Sequence, residues 1–174
     1  MVRVEIINGH RLVLRPAAVR DSRGFACTYN EVVNEGDYLL GECFPMQEFW
    51  VENIVRSSVK NRTLLLIAEL DGRIVGGCML NPIGATGKTS HVCGFGVHLV
   101  KEARGLGIGS RILRYITDWA ACNNYSKICL SVLSSNEGAI RLYRKEGFVE
   151  EGRRKRQYYI KGSYIDEVLM AKFV

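Results

Sequence analysis

Between Thr63 and Ala120 the chain changes its apolar rhythm across a glycine cluster, and that change restricts the fold more than any other feature. Thr63 to Leu70 (TLLLIAEL) is a buried-strand run, Asp71-Gly72 is a hairpin turn, and Ile74 to Leu80 (IVGGCML) returns as an antiparallel partner. After the turn-rich stretch Asn81 to Lys88, a further strand is expected from Ser90 to Val100. Beyond Arg104-Gly105-Leu106-Gly107-Ile108-Gly109-Ser110 the period becomes helical, with Ile112, Leu113, Ile116 and Ala120 on one face. A meander that runs through glycines into an amphipathic helix calls for a sheet covered by helices, which is an α/β class.

The flanks extend this pattern. Gly9 to Arg15 alternates as a first strand, Pro16 and Asp21 open a helix from about Val19 to Val33, and Asn34-Glu35-Gly36-Asp37 stops it. Pro45 suits the first turn of a second helix, whose apolar face would be Met46, Phe49, Trp50 and Ile54. Lys127 to Leu133 (KICLSVL) reads as a buried strand. Ser134-Ser135-Asn136-Glu137 has the form of a capping box, starting a helix that Gly147 closes. Strands from about Phe148 to Ile160 and Tyr164 to Phe173 end the chain. The order is β-α-α-β-β-β-α-β-α-β-β, with no internal repeat or linker, so one domain over 1–174 is expected.

Composition narrows the class further. At 174 residues, 47% hydrophobic and 24% charged, the chain carries enough apolar side chains for one packed core and is neither disordered nor fibrous. No apolar run approaches the roughly 18 residues of a membrane span, and charges break the opening MVRVEIINGHRLVLRP before a signal core forms. A soluble, cytoplasmic protein is expected. The six cysteines at 27, 43, 78, 93, 122 and 129 form no C-x-x-C pair and lack clustered histidines, so neither a metal site nor disulfides are expected. They read as small buried hydrophobes kept reduced.

The 24 basic and 18 acidic residues give +6, unevenly spread. From Gly24 to Val55 there is no Lys or Arg, while Glu31, Glu35, Asp37, Glu42, Glu48 and Glu52 fall there. The last third holds Arg141, Arg144, Lys145 and the run Arg153 to Arg156. That asymmetry suits an anionic ligand late in the chain and a cationic one early; a pair of solvated faces explains it equally.

Two glycine motifs bear on chemistry. Gly87-Lys88-Thr89 resembles the end of a phosphate loop, but Pro82 stands five before Gly87 and a strand follows where a helix is needed. The cluster Arg104 to Ser110 fails the dinucleotide fingerprint because Ser110 occupies the last glycine position and the preceding strands form hairpins. It does offer a side-chain-poor turn with backbone N–H groups at a helix N-terminus, which suits a diphosphate. Such a terminus stabilises a nearby anion by about 0.3–1 kcal/mol, with Arg104 adding charge.

His91 to Gly109 (HVCGFGVHLVKEARGLGIG) resembles the acetyl-CoA segment of the GNAT superfamily of N-acetyltransferases, a bulged strand followed by Q/R-x-x-G-x-G/A. Arg104, Gly107 and Gly109 fill that pattern. Downstream, Asn136-x-x-Ala139-x-x-x-Tyr143-x-x-x-Gly147-Phe148 is similar to the second family motif. The resemblance runs from about Arg11 to the C-terminus, and the ending EGRRKRQYYIKGSYIDEVLMAKF looks like the terminal hairpin of the bacterial and archaeal branches acting on small substrates and N-terminal amines.

The resemblance implies the GNAT fold: a mixed, mostly antiparallel sheet splayed in the middle and flanked by about four helices. It implies acetyl-CoA as cofactor. A bulge would part the strand over 90–100 from the strand over 127–133, and pantetheine would pair with the backbone of Val97, His98 and Leu99. The pyrophosphate would lie on Gly105, Leu106, Gly107, Ile108, Gly109 and Ser110. Asn136 would hydrogen-bond the cofactor, Ala139 would leave room for its arm, and Tyr143 would aim its hydroxyl at the sulfur as the acid. An aromatic core role is the other reading of Tyr143.

The base is not legible. Relatives carry a glutamate at one of two positions, and here those are Cys93 and Ser131. His91 or an acid of the early loop, Glu35, Asp37 or Glu42, would have to act through water, or contact the acceptor. The expected activity is acetyl-CoA-dependent N-acetylation of a primary amine, on a small molecule or amino acid or on a protein N-terminus. The partner is thus an amine acceptor, with no nucleic acid and no membrane, and with homodimer formation left open. A non-catalytic acyl-CoA-binding module is the competing class; it would keep the glycine loop and lose Tyr143.

Overall fold

The computed structural model describes residues 1–36, 38–39, 47–58, 61–84 and 87–174. Eight strands form one sheet: β1 (Arg3–Ile7), β2 (His10–Pro16), β3 (Leu64–Leu70), β4 (Arg73–Pro82), β5 (Val92–Leu99), β6 (Lys127–Leu133), β7 (Val149–Ile160) and β8 (Ser163–Phe173). Their order is β1-β2-β3-β4-β5-β6-β8-β7, antiparallel except for a parallel β5–β6 pair. The helices are α1 (Ser22–Glu35), α2 (Gln47–Ser57), α3 (Ile108–Cys122) and α4 (Glu137–Lys145).

Strand alternation divides the core into two layers. Leu12, Leu14, Leu66, Cys78 and Leu80 face α3 and α4, where Ile112 and Ile116 fill the main cluster. Leu65 and Ile67 face the other way, with Phe25 of α1 and Val51 of α2. A register shift between Ala68 and Glu69 lets β4 carry an extra residue, which sends Val75 to the α3 side and Ile74 to the α1 side. Gly77 sits where α1 crosses this strand. A Cβ there would collide with the Leu66 carbonyl oxygen and lie 2.7 Å from Phe25 Cε2.

Several expectations need correction. The sequence reading began the sheet at Gly9, but β1 precedes it, joined by the two-residue turn Asn8-Gly9 with φ of 48° and 84°. The expected capping box does not form, because Ser134 is stitched to β8: its N–H donates to the Asp166 carbonyl and its hydroxyl accepts from the Asp166 N–H. The α4 cap is Asn136, whose Oδ1 accepts from the Ala139 N–H at 3.1 Å. In α2, Ile54 packs as expected, joined by Val51 and Val55, while Phe49 is exposed; the Trp50 side chain lies outside the described residues. Pro45 and Met46 lie outside the described residues. Cys78 and Cys93 are buried as expected, but Cys27 and Cys122 are exposed and Cys129 is half-buried; Cys43 lies outside the described residues. Exposed cysteines occupy the polar faces of α1 and α3, which a count of thiols cannot reveal.

Among the described residues no helix is long and apolar enough to cross a membrane. Gly77→Ala should destabilise the chain by about 1–3 kcal/mol, the usual cost of overpacking where backbone cannot yield. Urea unfolding read by circular dichroism measures it; an unchanged midpoint would show that α1 does not press on β4 here.

Candidate active site

The parallel pairing of β5 with β6 covers only Val92↔Lys127, Cys93↔Ile128 and Gly94↔Cys129. Beyond Gly94 the two strands part, while β5 stays paired to β4 as far as Leu99. The bulge expected in this strand leaves no register shift on the β4 side, so the parting is a loss of partner, not a slip of the ladder. A cavity of about 870 Å³ fills the gap. Its walls are the end of α1, the free side of β5, the start of α3, the end of β6 and α4.

The backbone of β5 decides what this gap offers. The Val100 N–H donates to the Val75 carbonyl, so by alternation the N–H and C=O of His98 and Gly96 also turn to β4. Those of Phe95 and Val97, with the Leu99 N–H, turn into the gap. The Leu99 carbonyl is taken by Arg104 Nε at 2.9 Å. Of the three consecutive residues expected along the edge, His98 therefore faces away. Its imidazole is buried between Phe25 and Tyr29, with Nε2 at 3.0 Å from the Thr28 hydroxyl. Burial holds the imidazole down at about 3.

At the end of the gap α3 begins. Gly105 and Gly107 adopt left-handed φ of 78° and 76°, which turns the chain sharply into the helix. The N–H groups of Ile108, Gly109 and Ser110 form its first turn and have no carbonyl one turn earlier within the helix. Gly109 serves packing, since a Cβ would lie 2.8 Å from Leu142 of α4. Ser110 also lines the cavity, and its side chain helps hold the Glu146 carboxyl below its usual range. Leu106 is not part of the cavity wall; it packs on the core.

Arg104 was expected to add free positive charge. Instead its guanidinium grips Glu35 with two bonds of 2.8 and 2.5 Å, and the Tyr38 ring lies 4.8 Å from it. Glu35 is thus an anchor joining the end of α1 to the glycine turn. Part of the wider charge asymmetry is likewise taken up in ion pairs: Glu52–Arg56 early, and Arg141–Glu137, Arg144–Glu150 and Arg154–Glu167 late.

From α4, Asn136, Ala139 and Tyr143 all face the cavity. Tyr143 packs edge-on to Phe95 and Phe148, both at 5.9 Å, and burial raises its hydroxyl above the ordinary tyrosine range. Among the described residues no hydrogen bond holds that hydroxyl. Ser131 also lines the cavity, whereas Cys93 is buried behind it with its thiol pushed up to about 12 by burial. His91 does not reach it. It sits at the opposite end of β5, where its carbonyl accepts from Ser126 and Lys127. Glu42 and Asp37 lie outside the described residues. Phe95 and Tyr38 were missed from sequence. The strict alternation of β5 contains the signal for Phe95; nothing local marks Tyr38.

The fold is shared with solved acetyltransferases. The fold superposes with a TM-score of 0.87 on an acetyltransferase of the GNAT family from Streptococcus pneumoniae, at 26% identity over 94% of this chain and 99% of that one. It also matches yncA of Salmonella typhimurium, solved with its cofactor acetyl-CoA, at a TM-score of 0.85 and 17% identity over 93% of each chain. The model of the acetyltransferase (GNAT) family matches residues 28–148, and the chain belongs to that family. Relatives include the L-amino acid N-acetyltransferase AaaT of Escherichia coli, 30% identical over 74% of this chain and 77% of its own length. The N-alpha-acetyltransferase of Sulfurisphaera tokodaii is 30% identical over 82% and 85%.

His98 makes the stability pH-dependent. The unfolded chain binds a proton near pH 6.5, the folded one only near 3, so its contribution is full above about 6.5 and is lost as pH falls. Between pH 6.5 and 5 unfolding free energy should drop by up to about 1.4 kcal/mol per unit, and His98→Gln should flatten that slope in urea titrations. An equal slope in the variant would mean that His98 is not held neutral.

Proposed function

We propose that the chain is an acetyl-CoA-dependent N-acetyltransferase whose acceptor is a primary α-amine, with the cavity between β5 and β6 as the cofactor site of a single acetyltransferase domain. The observation that carries this reading is the unpaired edge of β5 running into the first turn of α3. Pantetheine amides match the outward N–H and C=O groups of Val97, and a diphosphate matches the N–H groups of Ile108 to Ser110. Ala139 leaves width for the arm, and Asn136, its Oδ1 spent on the cap, has its amide N–H groups for the cofactor.

In the reaction the neutral amine attacks the thioester carbonyl. The new C–N bond forms, the C–S bond breaks, the amine proton leaves through water, and the thiolate departs with the sulfur electron pair. Backbone N–H groups on the parted strand hold the carbonyl oxygen as it gains charge. The Tyr143 hydroxyl, kept protonated by burial, would give its proton to the departing sulfur and be reprotonated from the water that takes the amine proton.

No carboxylate is assigned as base. An α-amine with a pKa near 8 is already about one-tenth neutral at pH 7, against about one in a few thousand for a lysine-like amine. That difference favours an amino acid or a protein N-terminus, in keeping with the L-amino acid N-acetyltransferase of Escherichia coli and the N-alpha-acetyltransferase of Sulfurisphaera tokodaii. The competing reading, a binding module without turnover, predicts the same cofactor affinity.

Saturating CoA should raise the melting temperature, since a ligand bound only to the folded state stabilises it by mass action. No shift at millimolar CoA would remove the cofactor assignment. Tyr143→Phe should keep CoA affinity yet lower turnover by about ten- to thousand-fold, followed as free thiol released from acetyl-CoA with amino acids and N-terminal peptides as acceptors. Full activity in that variant would leave Tyr143 as a core aromatic, and absence of turnover in the wild type across both acceptor classes would favour the binding module.

A further inference from the structure

The two edges of the sheet are protected very differently. β7, at one edge, carries Arg153, Arg154, Lys155 and Arg156, and its ladder is broken twice by register shifts. β1, at the other, has an unbroken ladder with β2 and no proline or lysine. On its outer face Val2, Val4 and Ile6 are 61%, 52% and 69% exposed.

The Asp71 N–H donates to the Arg11 carbonyl, so odd-numbered residues of β2 turn their backbone to β3 and even-numbered ones to β1. Leu14, Leu12 and His10 pair with Arg3, Glu5 and Ile7, whose backbone groups therefore point inward. Those of Val4 and Ile6, and of Val2 by the same alternation, point off the sheet. The side chains of Arg3 and Glu5 lie on the α3 face, held by Asp118 and Arg111 at 2.6 Å each.

We propose that this edge joins two copies of the chain, β1 to β1 antiparallel about a twofold axis at Val4. Registers in which outward groups meet outward groups place residues with an even sum opposite one another. A sum of six would oppose Arg3 to Arg3, and a sum of ten would oppose Glu5 to Glu5. The sum of eight places Arg3 opposite Glu5 of the second copy twice over, Val4 opposite Val4 and Val2 opposite Ile6. It is the register of these three that pairs opposite charges, and it also buries all three exposed apolar side chains against one another. The sheet then continues across both copies. The contact is small for a stable dimer, so association depends on concentration. The β5–β6 cavity lies four strands away, about 19 Å at strand spacing, and is untouched.

Sedimentation of the full chain over the micromolar range tests this. The wild type should pass from monomer to dimer as concentration rises. Val4→Pro removes only an outward N–H, a change an edge strand tolerates, and should stay monomeric with an unchanged melting temperature. Arg3→Glu and Glu5→Arg should each weaken association by about tenfold or more, because each opposes like charges. Mixing these two variants restores opposite charges at both positions and should restore the dimer as a heterodimer. A wild type monomeric at every concentration, a dimer that survives Val4→Pro, or a mixture no more associated than its parts would each overturn the proposal.

Discussion

β5 is laddered on both sides at Cys93 and Gly94 and on one side for the next five residues, and the rest of the molecule is arranged around that difference. Unpaired strand edges inside a fold are costly unless something satisfies them. Here the parting opens a cavity instead of a collapsed core, because α4 and the start of α3 stand on either side and keep β6 away. The main apolar cluster holds those helices in place, so burial far from the gap is what keeps the gap open. The same parting points alternate backbone groups of β5 at a ligand and needs no special side chain to do so.

Electrostatics in the site are local and mostly spoken for. Arg104 ties the carbonyl of Leu99, the carboxylate of Glu35 and the ring of Tyr38 into one junction. That junction links the end of α1 to the glycine turn before α3. In the proposed cofactor site, attraction for a diphosphate would then rest on helix N–H groups more than on a free guanidinium. Burial of Tyr143 and His98 works in opposite senses, keeping the phenol protonated and the imidazole unprotonated.

Much of this was legible in the chain. The period change after Val100, the hairpin at Asp71-Gly72 and the motif residues from Arg104 to Tyr143 place the sheet, the helix start and part of the cavity wall. What escaped depends on partners distant in sequence. Ser134 looks like a cap until Asp166 claims it, and Arg104 looks free until Glu35 is found beside it. His98 resembles its neighbours until the Val100–Val75 bond fixes the direction of alternation. β1 was the exception: the Asn8-Gly9 signal was local and sufficient, and a chain read from Gly9 onward passes over it.

Backbone hydrogen exchange with and without CoA is the most direct measurement of whether the parted strand is the cofactor's edge. Val97 and the N–H groups of Ile108, Gly109 and Ser110 should exchange more slowly when CoA is bound, while His98, already paired to β4, should change little. Protection that appears equally at His98, or that spares Val97 and the first turn of α3, would contradict it.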